Sequence, residues 1–317
     1  MHVIKLHIPY ITFCTLSCYL PHPTVSLFAF VASNLVVVIH NSIIVDHVSF
    51  LLQLDVKKIY SYIVSYLKKN IMTLWRCGLR NVCVVSLWLP LGALIFCFVT
   101  ASIFQQDDIH ETHCRVYNII PSISAITGIS PQRYLWRICV ALHLGPRFLI
   151  GSLYHTYHMQ QLNLITPLET RTKAKKLGEA CYWLNLLEVC ALTGVTYVSN
   201  RENYPVHEKI FIVFMVSSLL HMWCRATVGK MVPEGEKPLN GNRTVWILFY
   251  ISVASTLGLV VFFLRHRYLC RPMAFSWFSL CEYILASANM AFHATVIQDF
   301  PNHQIQVAHH GDHDKKK

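Results

Sequence analysis

The sequence predicts an all-α fold, a polytopic bundle of helices that spans a membrane. Of its 317 residues, 54% are hydrophobic and only 14% are charged, whereas soluble globular chains carry about 25% charged residues. Several apolar runs also exceed the roughly 18 residues that a helix needs to cross about 30 Å of hydrocarbon. Together these observations exclude an ordinary soluble domain.

Six apolar runs predict six core transmembrane helices, and polar or turn-forming sequence separates them. They cover approximately residues 83–104, 133–157, 177–198, 208–228, 244–264 and 272–297. Residues 72–298 are therefore predicted to form the membrane domain. Residues 299–317 are predicted to form a disordered cytosolic tail.

Residues 1–71 form an extension with a different character. The run at residues 24–45 is apolar enough for a seventh, N-terminal helix, although three polar residues interrupt it. The extension lacks the compact apolar region and small-residue cleavage site of a signal peptide. Because Met72 opens a natural cytosolic lead into the first span, our hypothesis is that the functional protein starts there. The upstream part would then be an isoform extension or a gene-model artefact.

The basic residues are distributed unequally between the two sides of the predicted bundle. Their excess places the end before the first span, and the C-terminus, in the cytosol. The net charge of +11 thus belongs to loops that set orientation, and with no basic patch interleaved with aromatics we exclude nucleic-acid binding. The sequon at Asn242 would then lie in the cytosol and stay bare.

Two of the twelve cysteines are alone in the predicted lumenal loops, Cys114 and Cys270. On an oxidising face they could pair as a disulfide that joins the first and third lumenal loops, or they could remain free thiols.

Polar side chains recur inside four of the six spans, and the first and fifth spans, which lack ionisable centres, are predicted to face lipid. An ionisable side chain at mid-bilayer costs roughly 2.5–3.5 kcal/mol on insertion scales, so such residues are usually paired or functional. The candidates are His143, Arg147, Asn185, Glu188, His221, Glu282, Asn289 and His293.

The purpose of this polar layer stays open at the level of sequence. Arg147 could simply neutralise Glu188 or Glu282 in a structural pair, or the layer could perform chemistry. A zinc site would need three imidazoles, those of His143, His221 and His293, to converge. Because His293 lies nearer the predicted cytosolic face, we predict no metal ligands.

Four segments carry a resemblance to a known family: THCRVYNIIPSISAITGISPQRYLWR, LHLGPRFL, TYVSNRENYPVHEKIFIVFMVSSLLHM and LCEYILASANMAFHATVIQDF. They resemble the membrane family that includes post-GPI attachment to proteins factor 2, the DRAM autophagy modulators and the yeast Sfk proteins, over about residues 80–298. The resemblance implies a multi-pass protein of the Golgi membrane, with the endoplasmic reticulum as a further location. It also implies fatty-acid remodelling of glycosylphosphatidylinositol (GPI) anchors, in which a lyso-GPI is reacylated with a saturated chain.

If the chain is an enzyme, the implied reaction is acyl transfer to a glycerol hydroxyl of the lyso-anchor. The acyl donor would be acyl-CoA or a phospholipid, and no other cofactor is expected. The catalytic candidates, a histidine base oriented by a carboxylate, are His143, Glu188, His221 and Glu282. The substrate-binding candidates, which would hold the anchor phosphate or a developing oxyanion, are Arg147, Asn185, Asn289 and His293.

The alternative is a non-catalytic lipid-binding or escort protein that presents the lyso-anchor to a separate acyltransferase. The same polar residues would then form a pocket for the phosphate, with the lumenal PSIS segment as its lid. In either case the expected partners are GPI-anchored proteins or lyso-GPI, membrane lipid and other remodelling proteins.

Overall fold

The computed structural model describes residues 71–232 and 241–310. The predicted seventh helix at residues 24–45 lies outside the described residues. Within the described part, residues 82–301 form one compact unit, and residues 71–81 with residues 302–310 belong to another.

Helices dominate the described residues, as the all-α prediction requires. The long helices, each of which contains or overlaps one predicted span, are α1 (Leu79–Phe104), α4 (Gln132–Leu162), α5 (Leu168–Tyr197), α6 (Tyr204–Met231), α7 (Gly241–Leu269) and α8 (Ala274–Ala294). The short helices are α2 (Gln106–His110), α3 (Ile123–Thr127) and α9 (Val296–Asp299). The fold is an all-α membrane helical bundle.

Four of the long helices are long and apolar enough to cross a membrane: α1, α6, α7, and α8 together with α9. The helices α4 and α5 are as long, with 31 and 30 residues, but their polar residues lower their hydropathy. These two helices carry Arg147 and Glu188. The number of six spans therefore stays a prediction. Many large apolar side chains of α1 and α7 are exposed, in agreement with the predicted lipid-facing role of those two helices.

Consecutive long helices run antiparallel, which short connections require, and the longer α1–α4 connection contains α2 and α3. Between α4 and α5, Arg137 donates to the carbonyl of Tyr197 at one end, and His155 pairs with Glu179 towards the other. The α1–α4, α5–α6 and α7–α8 connections consequently lie at one face of the bundle. A disulfide between Cys114 and Cys270 joins the first of these connections to the third, with Cα atoms 5.5 Å apart. We call this face the disulfide face.

The second unit contains a two-stranded antiparallel sheet. Strand β1 (Ile71–Gly78) pairs with β2 (Gln304–His310), and the backbone N–H of Leu79 donates to the carbonyl of His303 at 3.0 Å. This differs from the predicted disordered tail over residues 304–310. The apolar residues alternate with glutamines in QIQV, which is the period of a strand, and Ile305 is buried.

Candidate functional site

Glu188 of α5 is the centre of a buried polar cluster. Its side chain is 0% exposed, and its carboxylate lies 3.0 Å from Nη2 of Arg147, 2.7 Å from Nδ1 of His221 and 3.1 Å from Nε2 of His293. These partners come from α4, α6 and α8, so the carboxylate joins four helices. The guanidinium of Arg147 supplies the positive charge that a buried carboxylate requires.

An amide fixes the position of this carboxylate further. Asn289 of α8 donates from Nδ2 to Oε1 of Glu188 and to the hydroxyl of Ser218, each at 2.7 Å. Glu188 thus accepts hydrogen bonds from four side chains, which is close to the capacity of a carboxylate. The cluster holds Glu188 in a single orientation.

The contact between His221 and Glu188 determines which nitrogen of the imidazole is basic. A carboxylate oxygen only accepts, so Nδ1 of His221 carries the hydrogen in this contact. In the neutral imidazole Nε2 is then the basic nitrogen. A histidine held in this way by a carboxylate can take a proton from a hydroxyl group.

His143 connects α1 to the cluster. Its Nδ1 lies 2.7 Å from the carbonyl oxygen of Ser86 and 3.0 Å from the hydroxyl of the same residue. Since the carbonyl must accept, Nδ1 donates, and Nε2 faces Nη1 of Arg147 at 3.5 Å. His143 therefore positions Arg147, and among the described residues it contacts no carboxylate. Nothing in the apolar first span marked Ser86 as its partner.

Glu282 lies apart from the cluster, in contrast to its predicted role as a catalytic candidate and partner of Arg147. Its Oε2 accepts a hydrogen bond from the backbone N–H of Ile123 at 2.8 Å. The reason is depth: Glu282 is separated from Asn289 and His293 by about 10 and 16 Å along α8, towards the disulfide face. One polar stripe on α8 thus serves two separate regions.

The PSIS segment, residues 121–124, is held by α8 and α6 at the disulfide face. Besides the contact with Glu282, the hydroxyl of Ser276 accepts from the backbone N–H of Ile119, two residues before the segment, at 2.8 Å. Ser124 lies 2.9 Å from Nε2 of His207, whose Nδ1 is 2.6 Å from the carbonyl oxygen of Val198. Except for the contact between His207 and Val198, these contacts join positions far apart in the sequence, so no local pattern could have found them.

A second charged group lies beside the cluster. Arg225 of α6 forms an ion pair with Asp299, and its guanidinium carbon lies 3.9 Å from the centre of the Tyr154 ring. The hydroxyl of Tyr154 donates to Asp299 at 2.7 Å. Tyr154 and Asp299 were missed by sequence reasoning because Tyr154 falls near the end of its predicted span and Asp299 begins the predicted tail.

A small, partly open cavity adjoins both groups. Four predicted site residues line it, namely Arg147, Asn185, His221 and His293. His158, Tyr154 and Arg225 extend the lining. His221 is therefore one of the side chains that a ligand in this cavity would contact.

Glu188, His221 and His293 also form a set of potential metal ligands, with ligand atoms within 4.8 Å of one another. The expectation that His293 lies too near the cytosolic face to meet the other candidate ligands was therefore wrong. His143, the third imidazole considered, is not part of this set. Two histidines and one glutamate fit zinc by chemistry. However, Arg147 already occupies the same carboxylate, and a divalent cation would have to displace it. The predicted absence of metal ligands stays a prediction.

Comparisons with known proteins agree with this picture. Residues 78–303 match the family described as the Frag1/DRAM/Sfk1/Cwh43P N-terminal domain. A protein of Drosophila melanogaster named post-GPI attachment to proteins factor 2-like is 52% identical over 72% of this chain and 71% of its own length. A protein of Xenopus tropicalis named acyltransferase PGAP2 is 34% identical over 71% of this chain and 88% of its own length.

A protein of Danio rerio, also named acyltransferase PGAP2, is 32% identical over 62% of this chain and 83% of its own length. No solved structure matches the chain. The family match covers α1 through α9 almost completely and includes every residue of the Glu188 cluster. The chain therefore belongs to the Frag1/DRAM/Sfk1 family of membrane proteins.

Proposed function

We propose that this protein acts in the fatty-acid remodelling of GPI anchors and transfers a saturated acyl chain to lyso-GPI in the Golgi membrane. Relatives named post-GPI attachment to proteins factor 2 or acyltransferase support the pathway and the reaction class. The observation that carries the proposal is the contact of 2.7 Å between His221 and the buried Glu188 beside a cavity. This pair supplies a positioned general base inside the membrane.

In the proposed reaction, the free hydroxyl of the lyso-anchor attacks the carbonyl carbon of the acyl donor. Its proton passes to Nε2 of His221, and the imidazolium is stabilised by Glu188. Hydrogen-bond donors from Arg147 and Asn185 stabilise the oxyanion of the tetrahedral intermediate. As the intermediate collapses, the leaving group receives the proton from His221, which returns the site to its starting state.

The escort function is the second candidate, and one observation favours it. Glu188 is engaged by Arg147, Asn289 and His293 as well as by His221, which is also how a cluster that only fixes helix packing would look. In that case the cavity would hold lipid without chemistry. The two candidates differ in what a change at His221 does to a folded protein.

The experiment uses cells that lack the protein and are complemented with single variants. We expect His221→Gln to leave GPI-anchored proteins without the saturated chain while the protein level and the Golgi location stay normal. Mass spectrometry of the anchors from a GPI-anchored reporter provides the measurement. Normal remodelling by the His221 variant would contradict the catalytic role.

Glu282→Gln is the matched control for Glu188→Gln. Both replace a buried glutamate by its amide, but the amide oxygen at position 282 can still accept from the backbone of Ile123. We expect the Glu282 variant to remodel anchors normally and the Glu188 variant to fail, in part because the loss of its charge leaves the buried Arg147 uncompensated. Equal loss in both would indicate that any buried glutamate matters for folding alone.

A further inference from the structure

The cavity extends from the Glu188 cluster in one direction only. Along α4 it runs from Arg147 to His158, about 16 Å, and along α5 it runs from Asn185 back to Gly178. Because α4 and α5 are antiparallel, both directions lead away from the disulfide face. Arg225, which lies one turn beyond His221 on α6, continues the lining in the same direction.

Three hydrogen-bond donors that belong to cavity-lining side chains have no acceptor among the described residues. They are Nε of Arg147, Nδ2 of Asn185 and Nε of Arg225. These side chains are only 3%, 3% and 8% exposed, and an unsatisfied buried donor costs about 1–3 kcal/mol. In the described part of the chain the lining contains no carboxylate. The cavity therefore fits a ligand that brings oxygen acceptors.

The N-terminal end of α5, which lies towards this cavity, is basic. Arg171, Lys173, Lys175 and Lys176 lie in its first turns, and Glu169 is the acidic residue among them. Lys175 and Asn185 are ten residues apart, which is about 15 Å along the helix. A ligand that reaches from the cluster to this end would meet positive charge, which favours phosphate groups.

We propose that the acyl donor is a fatty acyl thioester of coenzyme A, which enters this cavity from the cytosol. The inference rests on the acyl transfer proposed above and assigns its donor. Disulfides form in oxidising compartments, so the disulfide face is lumenal and the cavity lies in the cytosolic half of the bundle. The thioester carbonyl accepts from Asn185 and Arg147, and the phosphates of coenzyme A lie against the basic start of α5.

The chemical step balances without a further reactant. The acceptor oxygen forms a bond to the acyl carbon, and the carbon–sulfur bond of the thioester breaks. The proton taken up by His221 passes to the departing sulfur, which leaves as the thiol of coenzyme A. The thiol departs towards the cytosol by the route through which the thioester entered.

Gly151 and Gly145 on α4 provide a matched pair of variants. A Cβ atom at Gly151 would collide with the amide of Asn185, whereas a Cβ atom at Gly145 would meet nothing within 4 Å. Gly151→Ala should therefore displace Asn185 from the cavity, and Gly145→Ala should leave it in place. Both changes replace a helical glycine by alanine, so their effects on helix propensity are alike.

The first test measures binding of a stearoyl-CoA thioether, which cannot transfer its chain, to the purified full chain in nanodiscs. We expect the wild type and Gly145→Ala to bind alike and Gly151→Ala to bind about tenfold more weakly. Should Gly151→Ala fail to fold, Lys175→Glu combined with Lys176→Glu changes only the basic end and should also weaken binding. Absence of binding by the wild type would overturn the proposal.

The second test separates the donor from the reaction. Lyso-GPI reporter and wild-type protein are supplied either with stearoyl-CoA or with a phospholipid that carries the same labelled chain. We expect transfer from stearoyl-CoA alone. Transfer from the phospholipid alone would overturn the donor assignment and leave acyl transfer standing, whereas binding of the thioether with no transfer from either donor would count against the transfer itself.

Discussion

Glu188 and Arg147 are the two opposite charges on which the cluster depends. A buried pair of this kind need not stabilise a fold more than apolar residues would, but the loss of one partner leaves a buried charge without compensation. The ion pair is therefore expected to be a condition for the stability of the bundle, while the neighbouring His221 is the proposed general base.

This expectation is tested by a double-mutant cycle. Arg147→Gln and Glu188→Gln should each lower the free energy of unfolding by about 3–5 kcal/mol, and the double variant should recover most of that loss because no uncompensated charge remains. Thermal unfolding of the purified proteins in detergent gives the comparison. Additive losses would show that the two side chains do not interact. A double variant that is stable but inactive would show that the pair is needed for the reaction as well as for the fold.

Glu202 is a charged residue that lies outside the predicted membrane spans. It lies in the α5–α6 connection and pairs with Arg133 and Arg137. Its pKa falls from 4.5 to about 2, chiefly because the carboxylate accepts from the backbone N–H of Ser199. A lowered pKa stabilises the folded state above about pH 4.5, and the contribution disappears as the pH falls towards 2.

The wild type should therefore be more stable than Glu202→Gln at neutral pH, and the difference should shrink between pH 4.5 and pH 2. The carboxylate is 39% exposed, so we expect a difference of only about 0.2–1 kcal/mol. Melting temperatures of both proteins across this pH range provide the measurement. A difference that does not depend on pH would contradict the account.

At the scale of elements, the long helices were predictable and the short ones were not. Apolar runs of sufficient length identify each long helix directly. The five-residue α3 carries no such signal, because its position depends on Glu282 and His207 from elements distant in the sequence.

The candidate site was predicted in part for the same reason. Helical spacing correctly brought His143 and Arg147 to one face of α4. The depth of His293, measured from the middle of its predicted span, wrongly placed it away from the cluster. In the structure it contacts Glu188 from near the end of α8. The relative shift of neighbouring helices along their axes decides which side chains meet, and a single sequence contains no direct record of that shift.

The disulfide joins two connections that come from opposite ends of the chain's membrane domain. Cys114 and Cys270 close a loop with a separation of 156 residues, so the double replacement by serine should lower stability by about 2–5 kcal/mol. Thermal unfolding with and without reductant checks this. A wild type that reductant leaves unchanged would show that the bond contributes nothing to stability.

At the scale of the whole molecule, the account requires one orientation in the membrane. In the proposed orientation the disulfide face is lumenal, and the ends of the helices at the opposite face are cytosolic. A glycosylation sequon with a short spacer, inserted between Asp107 and Asp108 of the exposed α2, should therefore be glycosylated in cells. Asn242 should stay without glycan, as mobility shifts after glycosidase treatment would reveal; the reverse pattern would invert the assignment of the two faces.

The orientation also decides from which side the proposed acyl donor enters. The lining of the cavity runs away from the disulfide face, so the donor would enter from the cytosolic side. A site at mid-membrane suits this arrangement, because the Glu188–His221 pair is then accessible to a thioester while bulk water is largely excluded by the surrounding helices.

The measurement that tests the central claim most directly is acyl transfer by the purified full chain in nanodiscs, with a lyso-GPI-anchored reporter and labelled stearoyl-CoA. We predict that the wild type forms the diacylated anchor without any other protein. We also predict that His221→Gln, folded to the same melting temperature, is slower by roughly 10²–10⁴-fold, the usual contribution of a general base. A folded wild type that transfers no acyl group, or a His221 variant as fast as the wild type, would contradict the claim.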